Sequence, residues 1–390
     1  MYVDRSAEAG SPKAKAATTK LRLVFQDVSN HVERDGPSKL GKTMAMAQKQ
    51  KRTVDTIHTD FAAFERKKSA SIRASINKDA TKSTLSKITF PSQASRSSSS
   101  RQDDVHAGTI ATSKAHDIDK RDSNDPLMCS NYVKDMFQYF RDQESRTMVA
   151  KYISDNEDAI QPRISERMRA ILIDWLADIH NKMKCDPTVL HLTVQILDRF
   201  LASGMLKATK KNLQLIGASA FFISSKYEEV YPVVLCDLIY VCDRLYTEED
   251  IIDMETTILK ALSYQISLPT SHTFLKRFLK AAHADKKLEF LAQYILETSL
   301  HSFNMVVKYT PSELAAASVL IGRMSIGRHR WSPTLEKYAG YTEEDITSVA
   351  CNVMEENKKM RFGLTAVKRK YSRGKYYKVS SVVLPSASLL

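Results

Sequence analysis

The stretch SERMRAILIDWLADIHNKM, residues 165–183, decides the fold because it predicts one helix that carries two apolar stripes. At about 100° per residue, the first stripe contains Met168, Ile171, Leu172, Trp175 and Ile179. The second, roughly 100° further round the helix, contains Arg169, Ile173, Leu176 and His180. A helix that is apolar on two sides is either fully buried or buried on one side and used for binding on the other.

Arg169 is the one permanent cation within the second stripe. If this stripe faces the core, the guanidinium needs a carboxylate, because an unpaired buried charge costs several kcal/mol. The following predicted helix, residues 187–203, places Asp198 on the stripe of Val194 and Leu201. The sequence therefore predicts an Arg169–Asp198 ion pair between two helices. The alternative is that Arg169 extends along the surface to solvent, and the pattern alone does not decide between the two.

Helical periodicity continues through residues 126–362 and includes a weak internal repeat. LQLIGASAFFISSKY (213–227) and SELAAASVLIGRMS (312–325) are both apolar, with small residues at the centre. Small residues allow close helix packing, so each segment is predicted to be the central helix of an all-α domain. The alternative is that two unrelated Ala-rich helices happen to look alike. The TPSE motif, which begins at Thr310, predicts a helix start by a capping box.

The positive charge lies at the two ends of the chain. Residues 1–125 hold 23 Lys and Arg against 15 Asp and Glu, and residues 361–390 hold 7 against none. The middle, 126–360, holds 28 against 30 and is nearly neutral. A nucleic-acid-binding domain would be expected to carry a basic face within its folded part. Few aromatic residues and low-complexity runs such as SQASRSSSSR predict that residues 1–125 are disordered.

Several classes of protein and site are not expected. The 5 cysteines form no CxxC pair, which favours a reducing compartment and neither a disulfide framework nor a metal site. No apolar run reaches the length of a membrane span, and the N-terminus lacks a signal peptide. We find no Walker loop, GxGxxG, HExxH or GxSxG motif. We therefore expect an intracellular protein that is not an enzyme and has no cofactor.

Four motifs carry a resemblance to a known family. MRAILIDWL (168–176), LDRFLA (197–202), FFISSKYEEVYP (221–232) and METTILKAL (254–262) resemble cyclin motifs in the same order and spacing, across residues 127–362. The resemblance implies an all-α fold of tandem five-helix cyclin boxes, at 126–265 and 266–362, preceded by an N-terminal helix. Disordered basic tails, 1–125 and 363–390, would flank them. It also places the family's buried ion pair at Arg169 and Asp198.

The resemblance further implies that the first stripe is a docking patch for Arg-x-Leu segments of substrates and inhibitors. Carried over, the patch comprises Met168, Ile171, Leu172, Trp175, Asp178, Leu213 and Gln214. Asp178 stands where the family usually has the longer Glu. The alternative is that this stripe merely packs against residues 126–160.

By the same resemblance, SSKYEEVYP lies at the centre of an interface with a cyclin-dependent kinase. Lys226 and Glu255 would bond backbone groups near the kinase's mobile regulatory helix, and Glu229 would meet an arginine. The other implied contacts are Tyr132, Met136, Tyr139, Ile223, Tyr227, Leu259, Tyr264 and Ile266. The alternative for these charges is a solvated helix end.

RLVFQDVSN resembles the destruction box through which mitotic cyclins are captured by the anaphase-promoting ubiquitin ligase. Its four positions are Arg22, Phe25, Val28 and Asn30. An extended, disordered segment of this kind would offer a cation, an apolar anchor and an amide at fixed intervals. Phe25 in place of Leu resembles the third subfamily of B-type cyclins.

We therefore expect a regulatory subunit of a mitotic cyclin-dependent kinase, with no membrane or nucleic-acid partner. The basic clusters QKQKR (48–52), ERKK (65–68) and KRKYSRGK (368–375) favour nuclear localisation with exchange to the cytoplasm, although each also fits a solvated tail. A transcription initiation factor with a cyclin-like double repeat is the main alternative, and its folded domains would need more basic residues than 126–360 hold. A generic helical scaffold is a third alternative, which the ordered set of motifs disfavours.

Overall fold

A computed structural model describes residues 115–154, 158–359 and 363–385. Within these ranges the chain forms thirteen α-helices and no strand, so the predicted all-α class is confirmed. The helices are α1 Val133–Glu144, α2 Glu166–Met183, α3 Pro187–Ser203, α4 Leu213–Glu228, α5 Leu235–Val241, α6 Glu248–Ala261, α7 Ser271–Ala281, α8 Lys286–Ser299, α9 Phe303–Lys308, α10 Pro311–Ser325, α11 Pro333–Ala339, α12 Glu343–Lys359 and α13 Ala366–Tyr371.

Helix starts follow from local capping chemistry. The Thr310 side chain accepts a hydrogen bond from the Glu313 amide, the Glu313 carboxylate accepts one from the Thr310 amide, and Pro311 occupies the first turn of α10. Thr247 and Asp250 form the same reciprocal capping box at α6. These contacts satisfy amides that the first helical turn leaves without intrahelical partners.

The two repeated segments are the central helices of two bundles. Helix α4 packs against α2, α3 and α6, and α10 packs against α7, α8 and α12. The small residues permit these close crossings: a Cβ atom on Gly217 would lie 2.9 Å from Leu172 Cδ1, and one on Gly322 would lie 3.0 Å from Leu288 Cδ1. The predicted tandem repeat therefore has a packing basis.

The predicted Arg169–Asp198 ion pair is present at the centre of the first bundle. Arg169 Nε donates to Asp198 Oδ1 at 2.7 Å and Nη2 donates to Oδ2 at 2.6 Å. Both side chains are buried, with 0% and 1% of their surface exposed. Tyr152, also buried, donates its hydroxyl to Asp198 Oδ1 at 2.7 Å. The pair is therefore bidentate and the carboxylate has a third donor, which is the arrangement that offsets the cost of burying two charges.

Arg169 also reaches the second bundle. Its Nη1 donates to the backbone carbonyls of Leu300 and His301, at 3.0 and 3.3 Å, just beyond the end of α8. One side chain thus connects α2, α3 and the second bundle. The pair fixes the relation between the two boxes as well as the packing within the first.

We predict that Arg169→Met in the full chain lowers the free energy of unfolding by about 3–5 kcal/mol, because Asp198 is left buried without a counter-ion. The double variant Arg169→Met/Asp198→Leu should lose less, since it leaves no unpaired charge. Urea denaturation measures both. Arg163→Met, at an exposed position, is the control. A single variant that unfolds like the parent would contradict this role for the pair.

The predicted disorder of residues 1–125 is wrong for its last part. Residues 115–125 pack against the second bundle, with Ile118 and Asp119 buried. Asp119 accepts two hydrogen bonds from Arg277, each of 2.5 Å, and one from Lys280 at 2.9 Å. The pKa of Asp119 is lowered to about 2, and the hydrogen bonds from Arg277 are the largest cause. Sequence patterning missed this segment because its partners lie some 160 residues away.

The predicted disorder of the C-terminal tail is wrong for residues 363–385. Helix α13 packs against α2 and α8, and Val367 and Tyr371 are buried. Lys370 Nζ and the Tyr371 hydroxyl both donate to Glu297 Oε1, at 2.6 and 2.8 Å. Lys370 and Glu297 are 4% and 1% exposed. Lys370 therefore belongs to the folded protein, not to a solvated basic cluster.

Three buried histidines lie where α2, α3 and α7 meet. The rings of His191 and His272 stack at 5.3 Å. Burial is the main cause that lowers the pKa of His180 and of His272 to about 4. Lys370 near His180 and Lys276 near His272 lower it further, whereas Asp186 and Glu297 oppose the shift. Burial and the neighbouring cations also lower the pKa of His191. Within the described residues, neither ring nitrogen of His272 has a hydrogen-bond partner.

These pKa shifts predict a loss of stability in mild acid. Between about pH 6.5 and pH 4, the unfolded chain binds protons that the folded chain does not, so the free energy of unfolding falls as pH falls. At pH 5 the loss is about 1–2 kcal/mol for each histidine. Asp119 adds a separate loss only below about pH 4. Urea midpoints at pH 7 and pH 5 measure the effect. His272→Phe should reduce the difference and the exposed His329→Phe should not; equal differences in parent and His272→Phe would refute the assignment.

Candidate functional site

The end of α4 and the middle of α6 form the first candidate binding surface. The Lys226 ammonium and the Glu255 carboxylate form an ion pair across the two helices. Lys226 Nζ also lies 4.3 Å from the centre of the Phe222 ring. Lys226 remains 42% exposed and Glu255 only 12%. The lysine therefore holds one partner and retains N–H groups that can bond an incoming surface.

Exposed tyrosines lie next to this pair. Tyr227 is 50% exposed, and its hydroxyl bonds the Ser267 hydroxyl, which follows Ile266 in the chain. Tyr264 is 65% exposed and has a left-handed backbone just after α6. These rings combine a large apolar face with a polar tip, a composition that favours protein interfaces.

Glu229 is held at the edge of the same surface. Its Oε1 accepts a hydrogen bond of 2.6 Å from the Asp186 amide, at the start of α3. The carboxylate is half-buried. This hydrogen bond holds the Glu229 side chain at the start of α3.

Three further interface residues predicted from the sequence lie on α1 or directly before it. Tyr132, Met136 and Tyr139 are exposed. Helix α1 is anchored to the second bundle, because Arg141 Nη1 donates to the Ser312 and Tyr341 hydroxyls at 2.7 and 2.6 Å. Exposed apolar side chains on an anchored helix are accessible without a change of fold.

The structure revises part of the predicted interface. Ile223 is only 3% exposed and lies in the core of the first bundle, so it supports the surface rather than contributing to it. Leu259 and Ile266 are half-buried. The sequence reading missed Val230, Tyr231 and Ile252, which are all exposed. Ile252 had a usable signal, because it precedes Glu255 and Leu259 by three and seven residues and so shares their helix face.

The first stripe of α2 forms a second candidate surface. Met168, Ile171 and Trp175 are half-buried, and Met168 and Trp175 pack against the core. Leu172, Leu213 and Gln214 are buried, at 1%, 0% and 6% exposed, so these predicted docking residues lie in the core and not on the accessible surface of Met168, Ile171 and Trp175, which we call the docking groove. These outer residues of the stripe keep some accessible surface, as a binding surface requires.

Asp178 lies at one end of this groove, and two other side chains already bind its carboxylate. Its two carboxylate oxygens accept hydrogen bonds from Arg369, at 2.6 Å, and from Lys182, at 2.9 Å. Burial would raise the pKa of Asp178, but Lys182 and Arg369 outweigh burial and lower it. The sequence could not reveal Arg369, since it lies in the segment interpreted as a tail.

Other predicted features lie beyond these surfaces. Arg22, Phe25, Val28 and Asn30 lie outside the described residues, as do the basic clusters 48–52 and 65–68. Across 115–154, 158–359 and 363–385, no helix is long and apolar enough to cross a membrane. In that same part of the chain, no three His, Cys, Asp or Glu side chains are grouped as a metal site would need.

Comparison with known proteins matches the two bundles to two family models. Residues 135–267 match the cyclin N-terminal domain and residues 269–385 match the cyclin C-terminal domain. The second match includes α13 and the segment that follows it, in agreement with their packing against the folded part.

Curated relatives carry mitotic cyclin names. G2/mitotic-specific cyclin-B2 of Gallus gallus is 32% identical over 384 residues, covering 97% of this chain and 93% of that protein. G2/mitotic-specific cyclin-1 of Medicago sativa subsp. varia is 40% identical, covering 72% of this chain and 64% of that protein. The chain thus spans less than two thirds of the length of the plant relative. The solved X-ray structure of a viral cyclin from herpesvirus saimiri overlaps with a TM-score of 0.49 and 24% identity, covering 58% of this chain and 98% of that one.

The chicken relative aligns over nearly the whole of both chains, and the two domain models match in order over adjoining residues. The helices, the internal repeat and the buried Arg169–Asp198 pair lie within these matches. The chain belongs to the cyclin family and, within it, to the B-type cyclins.

Proposed function

We propose that this chain binds a cyclin-dependent protein kinase of the mitotic type and activates it as a non-catalytic regulatory subunit. The observation that carries the proposal is the Lys226–Glu255 pair, which lies among exposed tyrosines at the end of α4. The pair combines strong donor and acceptor groups. The neighbouring rings supply the apolar contact area that a stable interface requires.

Activation on this proposal is a shift of the kinase between two conformations. The surface formed by α1, α4 and α6 binds the conformation in which the kinase's regulatory helix is turned inward. That position allows the Lys–Glu ion pair of the kinase to form and its activation loop to open. A partner changes the balance of two states only by binding one of them more tightly. The rigid anchoring of Lys226, Glu229 and α1 serves this purpose, because a preorganised surface loses little entropy on binding.

A transcription initiation factor, the main alternative raised by the sequence, is disfavoured by membership of the B-type cyclins. It would require DNA contacts on the folded domains, but residues 126–360 hold 28 Lys and Arg against 30 Asp and Glu. Such a balance provides little of the electrostatic attraction on which DNA binding depends. DNA binding by the full chain, measured over a range of salt concentrations, would favour this alternative.

We predict that the full chain activates a purified monomeric cyclin-dependent kinase towards a histone-type substrate. The variant Lys226→Ala/Glu255→Ala should need at least about tenfold more cyclin for half-maximal activation, because it removes charge-assisted bonds at an interface. Titration of kinase activity against cyclin concentration measures the shift. Lys286→Ala/Glu289→Ala is the matched control, since it removes an exposed Lys–Glu pair of 2.7 Å on α8. Equal activation by the parent and the Lys226/Glu255 variant would refute the interface.

We also propose that substrates are recruited through short segments of the Arg-x-Leu type. The support is that Met168, Ile171 and Trp175 are half-buried apolar side chains on one stripe of α2, whereas Leu172 and Leu213 are buried. This docking groove suits a leucine side chain, and the carboxylate of Asp178 lies at its end. This second surface lies on α2, whereas the kinase-binding residues lie on α1, α4 and α6.

Control of abundance through the anaphase-promoting ubiquitin ligase is a further part of the proposal. The support is the four-point sequence pattern of Arg22, Phe25, Val28 and Asn30, placed before two cyclin domains. Destruction at the end of mitosis would restrict kinase activation to the G2/M transition and mitotic progression. Nuclear localisation, with exchange to the cytoplasm, is proposed from the clusters 48–52 and 65–68.

We predict that the full chain is degraded in a mitotic extract that contains the active ubiquitin ligase, and that Arg22→Ala/Phe25→Ala prolongs its half-life several-fold. The two substitutions remove the cation and the apolar anchor that an extended segment offers to its receptor. Immunoblots over time measure the half-life. Arg34→Ala/Phe61→Ala, which removes the same residue types outside the motif, should be degraded at the parental rate. A parental half-life for the Arg22/Phe25 variant would refute the destruction box.

A further inference from the structure

The C-terminal segment 363–373 occupies both carboxylates on the outer side of α2. Asp174 Oδ1 accepts a hydrogen bond from the Ala366 amide at 2.9 Å, and its Oδ2 accepts one from the Thr365 amide at 3.2 Å. One turn further along α2, Arg369 Nη2 donates to Asp178 Oδ1 at 2.6 Å. The segment therefore covers the acidic end of the docking groove with its own donors.

Both carboxylate oxygens of Asp178 already face a cation, so an additional cation would gain little from this carboxylate. Lys182, four residues later on α2, lies 2.9 Å from Asp178 Oδ2. The carboxylate is 25% exposed, and the Arg369 side chain is 56% exposed. Asp178 remains accessible from solvent, but its charge is already balanced.

The backbone that carries Arg369 is firmly attached to the folded protein. Ala366 and Val367, which precede Arg369 in α13, are buried. The two residues after Arg369 are also anchored, because the Lys370 ammonium and the Tyr371 hydroxyl bond the buried Glu297 carboxylate at 2.6 and 2.8 Å. Because Arg369 lies between these anchors, its guanidinium stays within reach of Asp178 even when the ion pair opens. It is therefore a permanent component of the groove.

We propose that Arg369 determines the docking specificity of this cyclin by occupying the carboxylate that the cation of an Arg-x-Leu segment would use. The inference rests on the docking function proposed above. An incoming arginine either displaces Arg369 or shares Asp178 with Arg369 and Lys182; in both cases the carboxylate is already neutralised, so little net free energy is gained. The groove then selects segments by their apolar residues and gives almost no preference to the cation.

The test measures how tightly two synthetic peptides bind to the full chain in complex with its kinase, for the parent and for Arg369→Gln. One peptide carries an Arg-x-Leu segment and the other has Gln in place of the Arg. Fluorescence anisotropy measures the two dissociation constants. In the parent they should differ by less than about twofold, because the exchange of exposed ion pairs is nearly neutral. In Arg369→Gln the Arg peptide should bind up to about fivefold more tightly than the Gln peptide, the range of an exposed ion pair.

Arg373→Gln is the matched control. It lies in the same segment and removes the same charge, but its guanidinium contacts the amide oxygen of Asn181 at 3.4 Å instead of a carboxylate. It should give the parental ratio of dissociation constants. If Arg369→Gln also gives the parental ratio, or if neither peptide binds any of the three proteins, the inference is wrong. Kinase activation towards a substrate without a docking segment, measured on the same samples, reports separately on the proposed function.

Discussion

The buried pair of Arg169 and Asp198 is the interaction on which the rest of the structure depends. It joins α2 to α3 through two hydrogen bonds of 2.7 and 2.6 Å, and Arg169 extends to the carbonyls of Leu300 and His301 in the second bundle. An apolar side chain in place of Arg169 could fill the space but could not satisfy those carbonyls. The ion pair therefore favours this packing of the two boxes, because it gives partners to both carboxylate oxygens of Asp198 and to the carbonyls of Leu300 and His301.

Once one stripe of α2 is committed to this core, the other stripe is available for binding. One face of α2 therefore packs in the core and the other is available for binding. The small residues of α4 allow α4 to pack closely against α2. At the far end of α4, the chain leaves the core and exposes Lys226 and Tyr227 beside Glu255 of α6. A rigid α4 thereby supports both candidate surfaces, the docking groove near its start and the proposed kinase-binding surface near its end.

The two terminal segments of the described chain attach to the bundles by the same chemistry. Asp119 pairs with Arg277 and Lys280, and Lys370 pairs with Glu297. In each case a charged residue of a polar segment meets an opposite charge at the surface or within the core of the second bundle. The C-terminal attachment has a functional consequence, because it places Arg369 beside Asp178. The composition of the docking groove is then decided jointly by α2 and by residues some 190 positions later.

The sequence by itself determined the features that local patterns encode. Periodicity placed the main helices, Thr310 marked the start of one of them, and the two apolar stripes of α2 raised the hypotheses of a buried arginine and of a binding face. Tertiary structure alone decided which patch residues are accessible: Leu172, Leu213, Gln214 and Ile223 face inward because α4 is surrounded by α2, α3 and α6. Tertiary structure alone also decided that residues 115–125 and 363–385 pack against the helical bundles. Hydrophobic periodicity is a property of neighbours along the chain, whereas these polar segments are ordered by ion pairs with residues far away in sequence.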